Sequence, residues 1–231
     1  MRDSPNAIML FAAGFGTRMG TLTANTPKPL VQVAGRALID HALAEVGAVT
    51  LETRVVNCHY FPEQIKAHFR DQDDITIIEE AGEILETGGG LKNALPILGD
   101  SPVFTMNTDA VWNGENPLKA LLKAWDPAKM DALLLCVPKS NAIGHDGPGN
   151  LHLAQNGQLS YGVGSIYTGL QIVKTAALNE IEQSSFSVKL LWEKYFAENR
   201  MYGLEFDGKW CDVGTPEGVQ LAEAMLAGRD V

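Results

Sequence analysis

The first residues with chemical potential follow a short apolar run near the start of the chain. Residues 7–12 are mostly apolar, and Gly14 and Gly16 come directly after them. Glycine lets the backbone approach a ligand closely, and backbone N–H groups at the end of a buried strand can hold an anion. Arg18 and Lys28 follow, the second between two prolines that stiffen the segment. Backbone donors together with two cations predict a site for a polyphosphate.

The spacing of this segment excludes two common phosphate motifs. A P-loop requires Gly-x-x-x-x-Gly-Lys-Ser/Thr, and the segment has no such spacing. A dinucleotide fingerprint requires Gly-x-Gly-x-x-Gly, but here the third glycine, Gly20, comes one residue late and precedes a proline-rich segment instead of a helix. The motif therefore argues against an NAD-dependent oxidoreductase.

A run of three glycines at residues 88–90, preceded by Leu85-Glu86-Thr87, is a second candidate binding segment. Glycine amides can reach the edge of a ring with no side chain in the way. We interpret the run as a backbone platform for a nucleobase, with a flexible turn as the alternative.

Two aspartates are candidate metal ligands. Asp109 comes just after the apolar strand predicted at 103–106, and Asp212 lies inside an otherwise apolar strand. A charge in such a strand is costly without a partner, and Mg²⁺ prefers carboxylate oxygens together with substrate phosphates. We therefore expect Mg²⁺ to be shared by Asp109 and Asp212, with a helix cap or solvated turn as the alternative for Asp109. The five histidines show no ligand spacing and are interpreted as structural or solvated.

The elements that would position these residues form an alternating pattern through the first 140 residues. Strands are predicted at 7–12, 53–57, 75–79, 103–106, 132–137 and 165–173, and helices at 37–46, 62–70, 89–95, 117–125, 187–198 and 216–226. Alternation of this kind indicates a parallel sheet with crossover helices, and the wholly apolar run 132–137 indicates burial on both sheet faces. Because ligands bind at the carboxyl ends of such strands, the candidate segments should converge there.

The composition changes after residue 138. Residues 139–164 are rich in glycine, and they contain short alternating pieces at 151–153 and 159–161. Such a composition is typical of hairpins and loops around a substrate pocket.

Charge and cysteine content limit the class of partner. The net charge is −10 without a concentrated basic patch, which disfavours nucleic acid as a partner. Three widely spaced cysteines indicate a reducing compartment and no structural zinc. No apolar run reaches the about 18 residues of a membrane span. We expect a soluble, cytoplasmic protein with no membrane partner; the sequence leaves its oligomeric state open.

Taken with their spacing, these segments resemble the sugar-1-phosphate nucleotidylyltransferases over nearly the whole chain. The family signature Leu-Ala-Ala-Gly-x-Gly-Thr-Arg-Met…Pro-Lys-Pro matches residues 10–29, and its Leu-Gly-Thr-Gly-Gly run matches residues 85–89. Its strand-end Gly-Asp matches Thr108-Asp109, and its closing Trp-x-Asp-Val-Gly-Thr matches residues 210–215. The resemblance implies an α/β, Rossmann-like nucleotide-diphospho-sugar transferase fold with a mostly parallel central sheet and a small, late sugar-pocket subregion. It implies one domain over residues 1–231, with a nucleotide-binding half at about 1–138 and a sugar-binding half at about 139–231.

The resemblance also implies the site residues. Arg18, Lys28 and Asp109 would be catalytic, and Asp109 and Asp212 would hold Mg²⁺. The nucleoside triphosphate would contact Ala12, Ala13, Gly14, Gly16, Thr17, Arg18, Lys28, Thr87, Gly88, Gly89 and Asn107. The sugar-1-phosphate would contact Gly149, Asn150, Tyr167 and Thr168.

Within this family, residues 85–96 most resemble the uridylyltransferases that act on N-acetylmuramate 1-phosphate in bacterial cell-wall recycling, with the mannose-1-phosphate guanylyltransferases as near relatives. Two departures occur: Gly20-Thr21 replaces the usual x-Pro, and residues 162–164 stand where several relatives have Glu-Lys-Pro, which implies an open pocket. A catalytically silent nucleotide-sugar sensor or regulatory subunit is the alternative from another class. The presence of both cations and both aspartates argues against it.

Overall fold

The strands and helices of the chain follow one another in the order that the sequence pattern predicts, with additional short strands. The computed structural model describes residues 3–99 and 102–228. The strands are β1 (Ala7–Phe11), β2 (Gln32–Val33), β3 (Arg36–Ala37), β4 (Thr53–Cys58), β5 (Thr76–Glu79), β6 (Val103–Asn107), β7 (Ala110–Asn113), β8 (Ala132–Val137), β9 (Ala142–Ile143), β10 (Leu151–Leu153), β11 (Leu159–Tyr161), β12 (Ile166–Val173), β13 (Met201–Glu205) and β14 (Lys209–Asp212). The α-helices are α1 (Leu38–Val46), α2 (Pro62–His68), α3 (Glu86–Leu98), α4 (Pro117–Ala124), α5 (Lys189–Ala197) and α6 (Pro216–Leu226).

The central sheet has seven strands in the order β13-β8-β12-β6-β1-β4-β5. Strand β12 is antiparallel to both of its neighbours, whereas the other neighbouring pairs are parallel. The prediction of a mostly parallel α/β sheet is therefore confirmed.

Both faces of this sheet are covered by core. Along β1, Ile8 and Leu10 belong to one apolar cluster, and Ala7 and Met9 belong to the cluster on the other face. Every residue of β8 is buried. The apolar run 132–137 thus predicted burial on both faces correctly, because such strands have no solvent-facing side.

Helix α3 departs from the prediction, which began it at residue 89 and ended it at 95. It runs over Glu86–Leu98, so the three glycines lie inside its first turns and Pro96 lies inside its last. A β-carbon at Gly88 would lie 2.4 Å from the ring of Phe186, and one at Gly89 would lie 2.1 Å from the carbonyl oxygen of Ser184. The glycines are therefore required by close packing and not by a loop conformation.

A second, three-stranded sheet in the order β7-β14-β9 was not predicted. Strand β14 pairs antiparallel with β7 and parallel with β9, and α6 packs against it in a third apolar cluster. Strands β7 and β9 are short, and their sequences lack a distinctive strand pattern. They are recognised as strands only because each pairs with β14 in the folded chain. The predicted late hairpin is present as the antiparallel pair β10–β11.

Two further properties of the described residues bear on partners and reactivity. Among residues 3–99 and 102–228, no helix combines the length and the apolar character needed to cross a membrane. Cys58, Cys136 and Cys211 are free and buried. Burial raises the pKa of the Cys58 thiol to about 11, so it stays protonated at neutral pH.

Candidate functional site

A cavity of about 210 Å³ opens at the carboxyl edge of the central sheet. Its walls come from the ends of β1, β4 and β6, from the Lys28 segment and from the start of α3: Phe11, Ala12, Ala13, Gly14, Lys28, Pro29, Asn57, Glu80, Ile84, Glu86, Thr87, Asn107, Thr108 and Asp109. Ligands bind at this edge in open α/β sheets. The structure therefore brings together these predicted residues: Ala12, Ala13, Gly14, Lys28, Thr87, Asn107 and Asp109.

The two glycines of the opening loop have different roles. Around Gly14, which lines the cavity, a β-carbon would meet no atom within 4 Å, so the backbone borders open space. Gly16 has a φ of 64°, and a β-carbon there would lie 2.8 Å from the β-carbon of Lys28. Gly14 thus exposes backbone to a ligand, whereas Gly16 lets the lysine segment pack on the loop.

Lys28 and Asp109 form the closest ion pair of the cavity. Lys28 Nζ donates a hydrogen bond to Asp109 Oδ2 at 2.7 Å, with the two side chains 12% and 32% exposed. Pro27 and Pro29 flank the lysine, which begins a short 3₁₀ helix. A cation and a carboxylate that are 81 residues apart in the chain therefore meet at the mouth of the cavity.

The second sheet carries Asp212 to the same place. Its β14 pairs with β7 so that Asp212 stands opposite Ala110, and Val213 N–H donates to Asp109 O at 2.8 Å. Burial and the charge of Asp109 raise the pKa of Asp212, against the opposing effect of nearby cations. The two predicted metal ligands are therefore close enough to repel each other.

Arg18 lies on the Asp212 side of the site and not in the cavity wall. It belongs to a 3₁₀ helix at Thr17–Thr23. A β-carbon at Gly214 would lie 2.9 Å from Arg18 Nη1, so this glycine makes room for the guanidinium. The charge of Arg18 lowers the pKa of Asp212. Within the described part of the chain, Thr17 is likewise beside the cavity and outside its lining.

Gly88 and Gly89 stay predicted nucleotide contacts, but their amide N–H groups already have acceptors within the chain. Both amides donate to the carbonyl oxygen of Phe186, at 2.8 and 3.0 Å. The first N–H groups of a helix have no acceptor within the helix, and here a carbonyl from the late half of the chain supplies one. Thr87 does line the cavity, but its Oγ1 accepts a hydrogen bond from Val188 N–H at 3.0 Å.

Asn57 and Glu80 are cavity residues that the sequence analysis missed. Asn57 Oδ1 accepts from Ala12 N–H at 2.8 Å, and Asn57 Nδ2 donates to Glu80 Oε1 at 2.6 Å. Glu80 Oε2 accepts from Leu85 N–H at 2.9 Å. This network joins the end of β1 to the start of α3 and so fixes the relative positions of two walls of the cavity. A polar residue at the end of an apolar strand, the signal used for Asp109, could have found both residues.

Two of the predicted sugar contacts are used inside the fold. Thr168 is buried and its Oγ1 donates to Leu135 O at 2.8 Å, so its hydroxyl is engaged within the sheet and its role as a sugar ligand stays a prediction. Tyr167 shares a side-chain hydrogen bond with Thr105, and its ring meets Trp192 edge to face at 5.0 Å. Because both hydroxyl groups have internal partners, β12 supports the sheet at these positions.

The other two predicted sugar contacts lie at the start of the β10–β11 hairpin. Gly149 has a φ of 81°, and a β-carbon there would lie 2.4 Å from Ser165 O. Asn150 is exposed, and its carbonyl oxygen accepts from Gly162 N–H at 3.2 Å. The Asn150 side chain therefore stays a predicted sugar ligand, with Gly149 holding the turn that presents it.

Asp109 and Asp212 fit the requirements of one divalent cation. Their mutual repulsion is relieved by a cation between them, and two carboxylates are a donor set for Mg²⁺ and not for structural zinc. In residues 3–99 and 102–228, no group of three or more His, Cys, Asp or Glu side chains could hold a metal. A cation at this place would take its remaining ligands from substrate phosphates and water.

Comparison with known sequences identifies relatives along the whole chain. The family model described as MobA-like NTP transferase domain matches residues 8–157. The chain is 38% identical to N-acetylmuramate alpha-1-phosphate uridylyltransferase of Caulobacter vibrioides, over 98% of this chain and 99% of that protein. The enzyme of the same name from Neisseria meningitidis serogroup B is 29% identical over 94% and 96%. A mannose-1-phosphate guanyltransferase of Hypocrea jecorina is also 29% identical, over 90% of this chain but 61% of that protein.

Solved structures share the fold at low sequence identity. HddC from Yersinia pseudotuberculosis complexed with GMP-PN has a TM-score of 0.77 at 18% identity, covering 95% of this chain and 99% of its own. The inositol-1-phosphate CTP transferase from T. maritima has a TM-score of 0.75 at 14% identity, covering both chains fully. The predicted Rossmann-like nucleotidyltransferase fold is thereby confirmed.

Proposed function

This chain belongs to the MobA-like NTP transferase family and is a sugar-1-phosphate nucleotidyltransferase, and from that premise we propose that it transfers a uridylyl group from UTP to N-acetylmuramate 1-phosphate. The products are UDP-N-acetylmuramate and pyrophosphate, which fits a cytoplasmic step in peptidoglycan recycling. The observation that carries the proposal is the meeting of Lys28, Asp109 and Asp212 beside one cavity. The substrate pair is supported by the 38% identity to the uridylyltransferase.

The reaction requires little covalent chemistry from the protein. An oxygen of the sugar phosphate attacks the α-phosphorus of the triphosphate, a new P–O bond forms, and the bond to the β-phosphate breaks with its electron pair leaving on pyrophosphate. A phosphate oxygen is already a nucleophile at neutral pH, so no general base is needed. Catalysis therefore depends on positioning and on neutralising phosphate charge.

Lys28, Arg18 and Mg²⁺ would each neutralise a different part of the phosphate charge. Lys28, now paired with Asp109 at 2.7 Å, is near enough to the cavity to act as a point charge on the α-phosphate. Arg18, with its planar fork on the Asp212 side, is suited to grip the β- and γ-phosphates. Mg²⁺ held by Asp109 and Asp212 would supply further neutralisation of phosphate charge. In this proposal Ala12, Ala13, Gly14 and Asn107 border the nucleotide.

We further propose that the two halves of the chain hold different substrates. The cavity-lining residues named above all lie within residues 1–138, which would hold the nucleotide. Residues 139–231 include Asp212 and the exposed Asn150 and would hold the sugar phosphate. Val163, between Gly162 and Gly164 at the end of the hairpin, is 76% exposed, so this face of the hairpin is open. A lactyl ether on the sugar would fit such an open face.

A pyrophosphate-release assay tests the substrate pair. UTP, GTP, CTP and ATP are each combined with N-acetylmuramate 1-phosphate, mannose 1-phosphate and glucose 1-phosphate in the presence of Mg²⁺. The expected result is fastest turnover with UTP and N-acetylmuramate 1-phosphate. Nucleotide binding without turnover on any pair would contradict the enzyme and favour a silent nucleotide-sugar-binding regulatory subunit.

Mannose-1-phosphate guanylyl transfer is the second candidate. It is supported by the 29% identity to the fungal guanyltransferase over 90% of this chain. Faster turnover with GTP and mannose 1-phosphate than with UTP and N-acetylmuramate 1-phosphate would establish this candidate instead.

A further inference from the structure

A histidine from the late half of the chain lies beside Asp212. Strand β9 runs parallel to β14 and pairs Ala142 with Trp210 and Ile143 with Cys211. The loop after β9 consequently follows the path of β14 towards its end. In this loop His145 Nδ1 lies 3.8 Å from Asp212 Oδ2.

The imidazole ring of His145 has two close neighbours. Its centroid lies 5.9 Å from that of the Trp210 ring, at an interplanar angle of 55°. A β-carbon at Gly147 would lie 2.9 Å from Nε2, so the absence of a side chain there makes room for the ring. With 30% of the side chain exposed, the ring is restrained without being sealed in the core.

The backbone of the loop is fixed to the same strand. Gly144 has a φ of 70°, and a β-carbon there would lie 2.6 Å from Asp212 O, so this position accepts only glycine without a shift. Lys139 Nζ donates a hydrogen bond to His145 O and closes the loop at its base. These backbone contacts fix the loop, and the loop in turn fixes the position of the imidazole ring beside Asp212.

Within residues 3–99 and 102–228, no hydrogen bond to the Asp212 carboxylate fixes its orientation. Its side chain is 18% exposed, and Asp109 repels it. The nearby cations are Lys28, which bonds to Asp109, and Arg18, whose guanidinium lies against Gly214. Among the residues that the structure describes, His145 is the basic side chain that comes within 4.0 Å of the Asp212 carboxylate.

We propose that His145 is a positioning residue for the transfer reaction, holding the Asp212 carboxylate towards Asp109 through Nδ1–H. This inference rests on the proposed function, because it assumes that Asp212 works at the reaction centre. A hydrogen bond requires about 2.7–3.2 Å, so a loop shift of less than about 1 Å closes the 3.8 Å gap. Outer partners of this kind fix the direction of a ligand carboxylate.

Three substitutions at His145 separate positioning from packing. The amide of His145→Asn can reach the position of Nδ1, whereas the longer His145→Gln carries its amide towards the position of Nε2, and His145→Ala has neither. We expect kcat to fall about 10-fold in the Ala and Gln variants, to stay within about threefold of wild type in the Asn variant, and the Tm of all three to stay close to that of wild type. The KM for the triphosphate should change little.

His68→Asn is the matched control, because His68 Nε2 contacts Asp40 Oδ1 at 2.7 Å in a histidine–aspartate pair between α1 and α2. It should keep wild-type turnover. Equal turnover in the Asn and Ala variants of His145, or losses that follow a fall in Tm, would overturn the positioning role. All variants are assayed on the substrate pair that wild type turns over fastest, so an error in the proposed sugar or base leaves this test intact. Absence of turnover on every pair would reject both proposals.

Discussion

Two clusters of charged side chains lie at opposite edges of the central sheet, one around a single aspartate and the other around two, and they differ in how the carboxylates are paired. At the amino edge, where β8 begins, Asp131 accepts hydrogen bonds from Lys174 Nζ at 2.7 Å and from Arg200 Nε at 2.6 Å, one on each oxygen. At the carboxyl edge, Asp109 and Asp212 face each other, and only Asp109 is bonded to a cation, Lys28.

The pKa values of the two clusters shift in opposite directions. Burial by itself raises the pKa of Asp131, but hydrogen bonds from Arg200 and Lys174 outweigh it and the pKa is lowered. Burial and the charge of Asp109 raise the pKa of Asp212. Asp131 is neutralised by direct hydrogen bonds from two cations and contributes to stability, whereas the pKa of Asp212 stays raised although Lys28 and Arg18 lie nearby. A carboxylate with a raised pKa beside a second carboxylate is typical of functional sites.

The largest expected effect is a loss of turnover when an aspartate at the carboxyl edge is substituted, but not when Asp131 at the amino edge is substituted. Asp109→Ala and Asp212→Ala should each lower kcat about 100-fold or more, because the phosphate charge then loses its metal-mediated neutralisation. Circular dichroism should show that both variants fold. Asp131→Asn serves as the control and should keep wild-type turnover below its melting temperature. Undiminished Mg²⁺-dependent turnover in either Ala variant would remove that aspartate from the site.

The second test concerns stability at the amino edge. Asp131→Asn should lower the free energy of unfolding at pH 7 by about 2 kcal/mol, since the amide loses the charge, keeps one acceptor oxygen and turns an NH2 donor towards the other cation. Because the folded-state pKa of Asp131 is lowered, its contribution is complete above the ordinary value of about 3.9 and is lost as the pH falls through the folded pKa. Urea unfolding at several pH values should show the gap between wild type and variant closing in acid. A gap that is independent of pH would contradict the ion-pair account.

The smallest expected effect has the opposite sign. Asp212→Asn should raise the Tm of the ligand-free enzyme, because removing a buried carboxylate that faces Asp109 relieves a cost of about 1 kcal/mol, equivalent to roughly 2–4 °C at this chain length. A raised folded pKa means that this cost is present at neutral pH and disappears as the pH falls through that pKa. Calorimetry with a chelator present measures both effects. A lower Tm at pH 7 would show that Asp212 is already balanced.

Six strands of the central sheet and part of the candidate site could be predicted from the sequence. The apolar runs predicted β1, β4, β5, β6, β8 and β12 to within one or two residues, because a strand buried on both faces must be apolar throughout. Gly14, Lys28 and Asp109 were predicted to meet because the carboxyl ends of parallel strands share one edge. The same rule would have included Asn57 and Glu80 had it been applied to every strand end.

The sequence is ambiguous where a local signal has two physical causes. A run of glycines permits close approach by any backbone, and at Gly88 and Gly89 the chain's own residues 184–186 make that approach. A threonine after an apolar run can bind a ligand or its own sheet, and Thr168 bonds to Leu135 O. Hydrogen-bond donors are satisfied by whichever acceptor the fold brings near, and residues adjacent in sequence do not identify it.

By itself the sequence therefore determined the α/β class, the strands buried on both faces and the loop that borders the cavity, because apolar periodicity and glycine conformation act over a few residues. Only the tertiary structure decided which polar and charged groups are partners of one another. Lys28 meets Asp109 across 81 residues, Thr87 meets Val188 across 101, and His145 meets Asp212 through a sheet made of short strands. Those distances depend on how separate elements pack, and packing is a property of the whole chain.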